Sequence, residues 1–404
     1  EGGFLFDEES RSYKIIHQWI AEGCKFSEAT RPAKLEVFPK SPSLERSGQK
    51  QQILVIATFA DGSSRDVTRE AIFESSNFEV ATVSTTGLVK AVRRGETSIL
   101  VRYEGVYASN TLLVLGTREG YAWKESPEFN FVDQHVNNKL KRLKIQAADL
   151  CTDAEFLRRV SLDLTGLPAT GEQTKAFLND PRESRVKRLA RIDELLDSPD
   201  YVDHWTLKWS DLLLSNRKFI NEQGVWAFRN WIREQIATNR PYNDFVYDLM
   251  TASGRTLENP PANYYRIARE PRELMENMTQ VFVGTRFVCA QCHDHPFEKW
   301  TQTQYYQLSA FFGGVGRKGG RKAEEEVIYD MRSPATVIHA GTGQPAPATF
   351  PFQIEGIDLS SDIPRTKLAR WLTAKENPYF AKSLANRYWS YLNGKGIIYP
   401  VDDI

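Results

Sequence analysis

Between residues 34 and 116 apolar and polar positions alternate with a period of two. The runs are Leu35/Val37, Ile53/Val55/Ala57/Phe59, Ala81/Val83, Ile99/Val101/Tyr103 and Thr111/Leu113/Leu115, parted by Asp61-Gly62, Thr86-Gly87, Arg94-Gly95 and Glu104-Gly105. Side chains of a strand point alternately to opposite faces, so the pattern predicts half-buried strands. The regular glycine turns predict antiparallel pairing into a small sandwich. No catalytic grouping falls within it, and a spacer or docking role is expected.

From residue 130 the period becomes helical. Stripes run through Phe131/Val132/His135/Val136/Leu140/Leu143, Val186/Leu189/Ile192/Leu196, Tyr201/Val202/Trp205/Trp209/Leu212, Val225/Phe228/Trp231/Ile232/Ile236 and Phe245/Val246/Leu249. Thr152-Asp153-Ala154-Glu155 is a capping box, while Ser198-Pro199 and Arg240-Pro241 mark helix boundaries. Pro271 opens a helix carrying Leu274, Met275, Met278, Val281 and Phe282 as far as Gly284. Thr301-Gln302-Thr303-Gln304 starts another with Tyr305, Leu308, Phe311 and Phe312. Ahead of the strands, residues 10–23 form a short amphipathic helix with Tyr13, Ile16 and Ile20 on one face. Alone it builds no core, so it is expected to dock on a later domain or to end an upstream one. His17 and His135 fall on apolar stripes and are expected to pack.

Composition narrows the class. At 404 residues the chain exceeds one core, so two or three domains are expected. Hydrophobic residues at 41% with 26% charged describe a soluble globular protein, and 52 basic residues balance 52 acidic ones, leaving no footprint for nucleic acid. No apolar run reaches bilayer-spanning length. Starting at Glu1-Gly2-Gly3-Phe4, the chain reads as a mature or excised piece of a longer protein. P-loop, Gly-x-Ser-x-Gly, His-Glu-x-x-His and Rossmann fingerprints do not occur. The run 316–326, with Glu324, Glu325 and Glu326, reads as a solvated loop, and the 259–266 loop offers Tyr264 and Tyr265 as candidate pocket-lining tips.

Chemistry concentrates at one place. Cys289, Cys292, His293 and His295 put two of four cysteines and two of six histidines within seven residues. Cys-x-x-Cys-His is the attachment pattern of c-type haem: the two thiols add to the vinyl groups, and His293 lies under the iron. Two further readings stand beside it. The thiols can remain free or close a short, redox-active disulfide. Alternatively, Cys289, Cys292 and one or both histidines can hold a structural zinc, although adjacent Cys292 and His293 fit two corners of a tetrahedron awkwardly. In the haem reading the attachment chemistry implies export.

With His293 as proximal ligand, His295 is too near in sequence to reach the opposite face of the iron. His295 is the candidate acid or base, and Asp294 a candidate to raise imidazole basicity from behind. Distal candidates are Met278 (with Met275), His204 and His339, each weighed against a packing role. Arg286 and Lys299 are candidate partners of the haem propionates.

The wording of several segments is familiar. Phe59-Ala60-Asp61-Gly62-Ser63, Ser75-Ser76-Asn77, Val80-Ala81-Thr82-Val83, Gly87-Leu88-Val89 and Gly95-Glu96-Thr97 resemble the bacterial immunoglobulin-like domain of group 2, found on exported proteins. The string from Phe156 to Pro168, Tyr201-x-x-His204-Trp205, Trp209-Ser210-Asp211, Asn239-Arg240-Pro241-Tyr242 and Phe282-Val283-Gly284 through Pro296-Phe297 resemble the planctomycete-type cytochrome family DUF1549 (PSCyt2). Leu368-Ala369-Arg370-Trp371-Leu372, Asn386-Arg387 and Gly394-Lys395-Gly396-Ile397 resemble the opening of its partner domain, DUF1553 (PSD1). The resemblance implies haem and architecture more than a reaction. Residues 10–23 are similar to the end of the cytochrome domain that often precedes this family, which implies a native polypeptide longer at both ends, with a second haem upstream.

The expected fold class is multidomain, a small all-β immunoglobulin-like sandwich plus a mainly α-helical haem-binding domain. The expected divisions are 1–33 (helical tail or linker), 34–116 (sandwich), 117–129 (linker), 130–315 (cytochrome domain), 316–365 (irregular, loop-rich) and 366–404 (start of the partner domain). The expected function is that of an extracytoplasmic protein with one covalent haem c, in electron transfer or as a haem-dependent oxidoreductase, with glycan processing as a candidate setting. Its expected partners are a redox protein or an upstream cytochrome domain, and a carbohydrate. The alternative is a periplasmic or cell-surface scaffold, binding carbohydrate or a surface, with a structural zinc at the cluster.

Overall fold

The computed structural model describes residues 7–24, 31–295, 298–332 and 336–404. Two compact units divide the chain, residues 1–148 and 149–404. Among the described residues no helix is long and apolar enough to cross a membrane.

The first unit holds helix α1 (Arg11–Ala21), ten strands and helix α2 (Phe131–Arg142). The strands are β1 (Pro32–Phe38), β2 (Ser43–Leu44), β3 (Lys50–Gln52), β4 (Leu54–Phe59), β5 (Ser64–Asp66), β6 (Ile72–Ser75), β7 (Ala81–Val83), β8 (Leu88–Ala91), β9 (Gly95–Tyr103) and β10 (Val106–Val114). Their sheet orders are β1-β4-β5, β2-β10-β9-β6 and β3-β8-β7. Alternation sends Leu35, Val37, Val55, Ala57, Ile99, Val101, Leu112 and Val114 into one buried core. Each run expected from the period-two pattern contains a strand. The additional strands β2, β3, β5, β6 and β8 are too short to show a period. Asparagine-capped α2 is tied to the sandwich by Lys139 on Glu96 and by Arg94 on the carbonyl of Leu143.

Two packing expectations fail here. His135 is exposed and meets only the edge of Phe131, itself 71% exposed. His17 is exposed on α1, stacked on Tyr13, and the apolar face of that helix has no cover among the described residues. Both helices carry a stripe, but a stripe packs only where another surface meets it.

The second unit is mainly helical: α3 (Asp153–Thr165), α4 (Gly171–Asn179), α5 (Ser184–Leu196), α6 (Pro199–Leu212), α7 (Arg217–Ala237, kinked at Asn221), α8 (Tyr242–Thr251), α9 (Tyr264–Ile267), α10 (Pro271–Met278), α11 (Gln302–Ser309), α12 (Pro364–Thr373) and α13 (Phe380–Asn393). A small sheet adds β11 (Gly254–Arg255), β12 (Val315–Gly319) and β13 (Glu326–Asp330) in the order β11-β13-β12. The capping box at Thr152 and Glu155 starts α3 as its spacing predicts. One core joins Trp209, Phe228, Phe245, Met278, Phe282, Phe311, Trp371 and Phe380, so α12 and α13 share it with the helices before the cysteines. Arg365, 1% exposed, adds a bidentate pair to Asp330 at 2.8 Å through each nitrogen.

Three local expectations are corrected. α5 turns away from its apolar stripe: Val186 and Leu189 are exposed while Lys187, Arg191 and Leu195 are buried. Lys187 is drawn in by Asp153, 2.8 Å away, and by the ring of Phe177. The 316–326 run is partly a hairpin arm, since β12 pairs with β13 and buries Val315 and Ile328. Tyr264 and Tyr265 are core residues, fully buried, and not loop tips.

Candidate functional site around Cys289 and Cys292

Helix α10 begins with proline and buries Leu274, Met275 and Met278. It widens into a π turn at Thr279–Val283 and stops at Gly284, whose φ of 65° is left-handed. A tight 3-10 turn, Phe287–Gln291, follows. Residues three apart eclipse one another in such a turn. Phe287 and Ala290 therefore both point inward and are buried, and Cys289 and Cys292 are both exposed as free thiols. Phe287 anchors the turn on Trp300 with ring centres 4.8 Å apart, and Trp300 leans on Tyr379. The Gln291 carbonyl accepts from the Gln302 side chain at 3.0 Å and from the Tyr306 hydroxyl at 3.1 Å, which locks the turn to α11.

His293 is exposed, and its Nδ1 lies 2.7 Å from the Asp294 carbonyl oxygen. A carbonyl only accepts, so the proton is on Nδ1 and the Nε2 lone pair is left to act as a ligand. The Asp294 carboxylate is used elsewhere, accepting from the Gln302 N–H at 2.8 Å at the start of α11. His295 has the opposite tautomer. Its Nδ1 accepts from the Glu298 N–H at 3.0 Å, while the His295 backbone N–H donates to the Trp300 carbonyl at 2.8 Å.

The end of the described chain closes over this region. Ile404 N–H donates to the Gly284 carbonyl at 2.7 Å, and Asp402 accepts from Arg286 at 2.7 Å and from Gln280. Burial raises the Glu298 carboxyl above its usual range, and the neighbouring Asp403 carboxylate raises it further. His295 and the Trp300 indole act the other way. Glu298, Asp403 and Trp300 are thus site neighbours that the sequence reading did not single out. The pair lies about a hundred residues apart, and no spacing rule joins such positions.

The remaining candidates lie as follows. Arg286 is held by Asp402, which raises its pKa further. Lys299 holds its ammonium over Trp300 and Tyr379, 4.9 and 5.2 Å from the ring centres. Met278 is fully buried in the core, with Met275. His204 packs on Gly166 and edge-on to Trp205; burial, then the charge of Lys208, lowers its pKa. His339 is buried with both ring nitrogens engaged, Nδ1 accepting from Gly341 and Thr342 and Nε2 donating to Thr303. Cys289, Cys292 and His293 are thus exposed along one stretch of chain between α10 and α11, Asp294 and His295 turn to partners of their own, and Met278 and His204 are set into packing.

The donor set is one a covalent haem would require: two exposed thiols one turn apart, followed by an exposed imidazole whose Nδ1 is engaged by a backbone carbonyl and whose Nε2 faces no protein partner among the described residues. Among the described residues, no group of three or more His, Cys, Asp and Glu side chains is assembled to hold a metal ion.

The chain is thus a two-unit protein, an immunoglobulin-like sandwich domain followed by a largely helical region. Residues 33–102 match the bacterial Ig-like domain (group 2), residues 131–317 match PSCyt2, a protein of unknown function (DUF1549), and residues 364–404 match PSD1, a protein of unknown function (DUF1553). No curated protein matches the chain.

Proposed function

We propose that the helical unit is a c-type cytochrome domain in which Cys289 and Cys292 carry one covalent haem c and His293 is its proximal ligand. The observation that carries this reading is the His293 Nδ1 to Asp294 carbonyl hydrogen bond, which leaves Nε2 as a ligand beside two exposed thiols. The bound group would supply one-electron redox chemistry at this corner.

The chain's own residues do the rest. Phe287 and Ala290 hold the attachment turn against the core, while Gln302 and Tyr306 fix its carbonyl end. Burial and the Asp403 carboxylate raise the Glu298 carboxyl, and His295, whose Nδ1 accepts from the Glu298 backbone N–H, is the acid or base beside them. Such a cluster can take up or release a proton as the charge at the corner changes. The role is electron transfer, or oxidation or reduction of a small or glycan-derived substrate. Covalent haem attachment and the Ig-like domain both favour an extracytoplasmic address, with a redox protein as partner.

A pyridine haemochrome spectrum of the chain matured in a host with c-type haem assembly tests this. The reduced band of thioether-linked haem is expected, and is lost in the Cys289→Ala/Cys292→Ala variant. A colourless, folded protein with stoichiometric zinc sinks the proposal and supports the scaffold alternative.

A further inference from the structure

A second site is built away from the cysteines, where the turn after α9 meets the β12–β13 hairpin. Arg266, Arg269, Arg317 and Lys318 line a cleft of about 380 Å³ with Glu324, Glu325 and Glu326. The three carboxylates do not balance the four cations. Glu325 is turned into the fold, where Arg255 holds it at 2.9 and 3.1 Å. Glu326 is shared, bidentate to Arg269 at 3.1 and 3.2 Å and 3.6 Å from Arg266. Glu324 is exposed, and its carbonyl is what Arg266 binds.

The same unit shows how it treats an arginine that is only structural. Arg365 has both edges satisfied, by Asp330 and the Ala252 carbonyl. Arg266, 6% exposed, differs: its Nε is buried and has no hydrogen-bond partner, only the Glu326 carboxylate at 3.6 Å. Arg317 spends one edge on the carbonyls of Tyr265 and Ala268 and makes no ion pair among the described residues. Burial lowers the pKa of both, and at Arg317 the charge of Arg269 adds to it. Arginine stays charged in spite of this, so positive charge is held partly out of water without a full counter-charge, an arrangement a bound anion would offset.

We propose that this cleft binds a tetrahedral oxyanion, a phosphate or sulfate group, with Arg317, Arg269 and Lys318 as its ligands and Arg266 as the positive floor. Setting aside Glu325, which shares Arg255 with Glu258, four cations face two carboxylates at the cleft, an excess of positive charge that suits an anion. Planar guanidiniums bind such oxygens in pairs, and the exposed Lys318 ammonium, which rests over the Tyr329 ring 5.5 Å from its centre, would swing across to complete the site. The site is independent of the haem reading.

Calorimetric titration of the full chain with sodium sulfate and with inorganic phosphate, against sodium chloride of equal ionic strength, tests the site. A saturable one-site isotherm is expected with both oxyanions and not with chloride. Lys318→Gln, at an exposed position, is expected to keep the wild-type melting temperature and weaken binding roughly tenfold, about 1.4 kcal/mol. Arg269→Gln/Lys318→Gln is expected to weaken it further. A parallel titration with phenyl phosphate separates the sources: binding comparable to phosphate assigns an esterified group, and binding of the inorganic ions alone a free anion. Heats no different from chloride, or an isotherm unchanged in folded variants, overturn the proposal.

Discussion

The Nδ1–H of His293 donates to the carbonyl oxygen of Asp294 at 2.7 Å, while the Asp294 carboxylate faces away, 2.8 Å from the Gln302 N–H. One residue therefore orients the imidazole with its backbone and starts α11 with its side chain. Asp294→Ala separates the two roles. It is expected to lower stability by about 0.5–1 kcal/mol, the usual worth of an acidic group at a helix start, and to leave the absorption spectrum of the haem-loaded protein unchanged. Thermal melting and visible spectroscopy check both halves, and a shifted spectrum would show that the carboxylate itself acts on the imidazole.

Met278 and His204 are placed for packing. Met278→Leu, which nearly conserves volume, is expected to cost less than about 1.5 kcal/mol. His204→Ala is expected to change stability through its contacts with Gly166 and Trp205. Neither variant should alter the ferric spin state of the loaded protein, as read by low-temperature electron paramagnetic resonance. A change from low to high spin in one of them would identify that residue as the distal ligand.

Glu298 makes a pH-dependent contribution whose sign follows from its raised pKa. Below the ordinary carboxyl value of 4.5 the group is protonated both folded and unfolded, and its contribution is fully present. As pH rises from 4.5 through the higher folded value, the folded state must give up a proton it binds more tightly, so stability falls. Glu298→Gln keeps a donor for Asp403 and an acceptor for the Trp300 indole but does not titrate. Its melting temperature relative to wild type should therefore rise with pH across that window and then level off. A difference that stays flat with pH would show that Glu298 is not held in its protonated form.

Arg365→Ala removes one partner of a buried pair and leaves Asp330 beside an empty guanidinium site. Breaking such a pair typically costs about 3–5 kcal/mol. Because α12 and α13 share the core of the helices before the cysteines, the loss should appear as one cooperative transition of the second unit. Denaturant melts followed by tryptophan fluorescence test this. A separate early transition would show that residues 364–404 are an independent body.

The local elements were legible wherever a rule acts over a few residues. Alternation placed the strands around Val55 and Ile99 and found β10, although there it picked out Leu113 and Leu115 where the sandwich core takes Leu112 and Val114; the Thr152/Glu155 and Thr301/Gln304 boxes placed two helix starts. The Cys-x-x-Cys-His spacing marked the candidate site by itself, because residues three apart on a tight turn share a face whatever surrounds them. Stripes were less informative about what covers them. The same period that buries Phe228 leaves Val186, Phe131 and Ile16 in water, since burial needs an opposing surface that a stripe does not encode.

The sequence by itself determined the order of sandwich and helices, the helix and strand signals, and the Cys-x-x-Cys-His spacing of the candidate site, all matters of chemistry within about ten neighbours. Only the tertiary structure decided the meeting of Glu298 with Asp403, the capture of Arg286 by Asp402 and the gathering of four cations at one cleft. Each of these joins a side chain to a group whose position is set by how the chain folds back on itself, and burial then sets its charge. Periodicity carries no term for either.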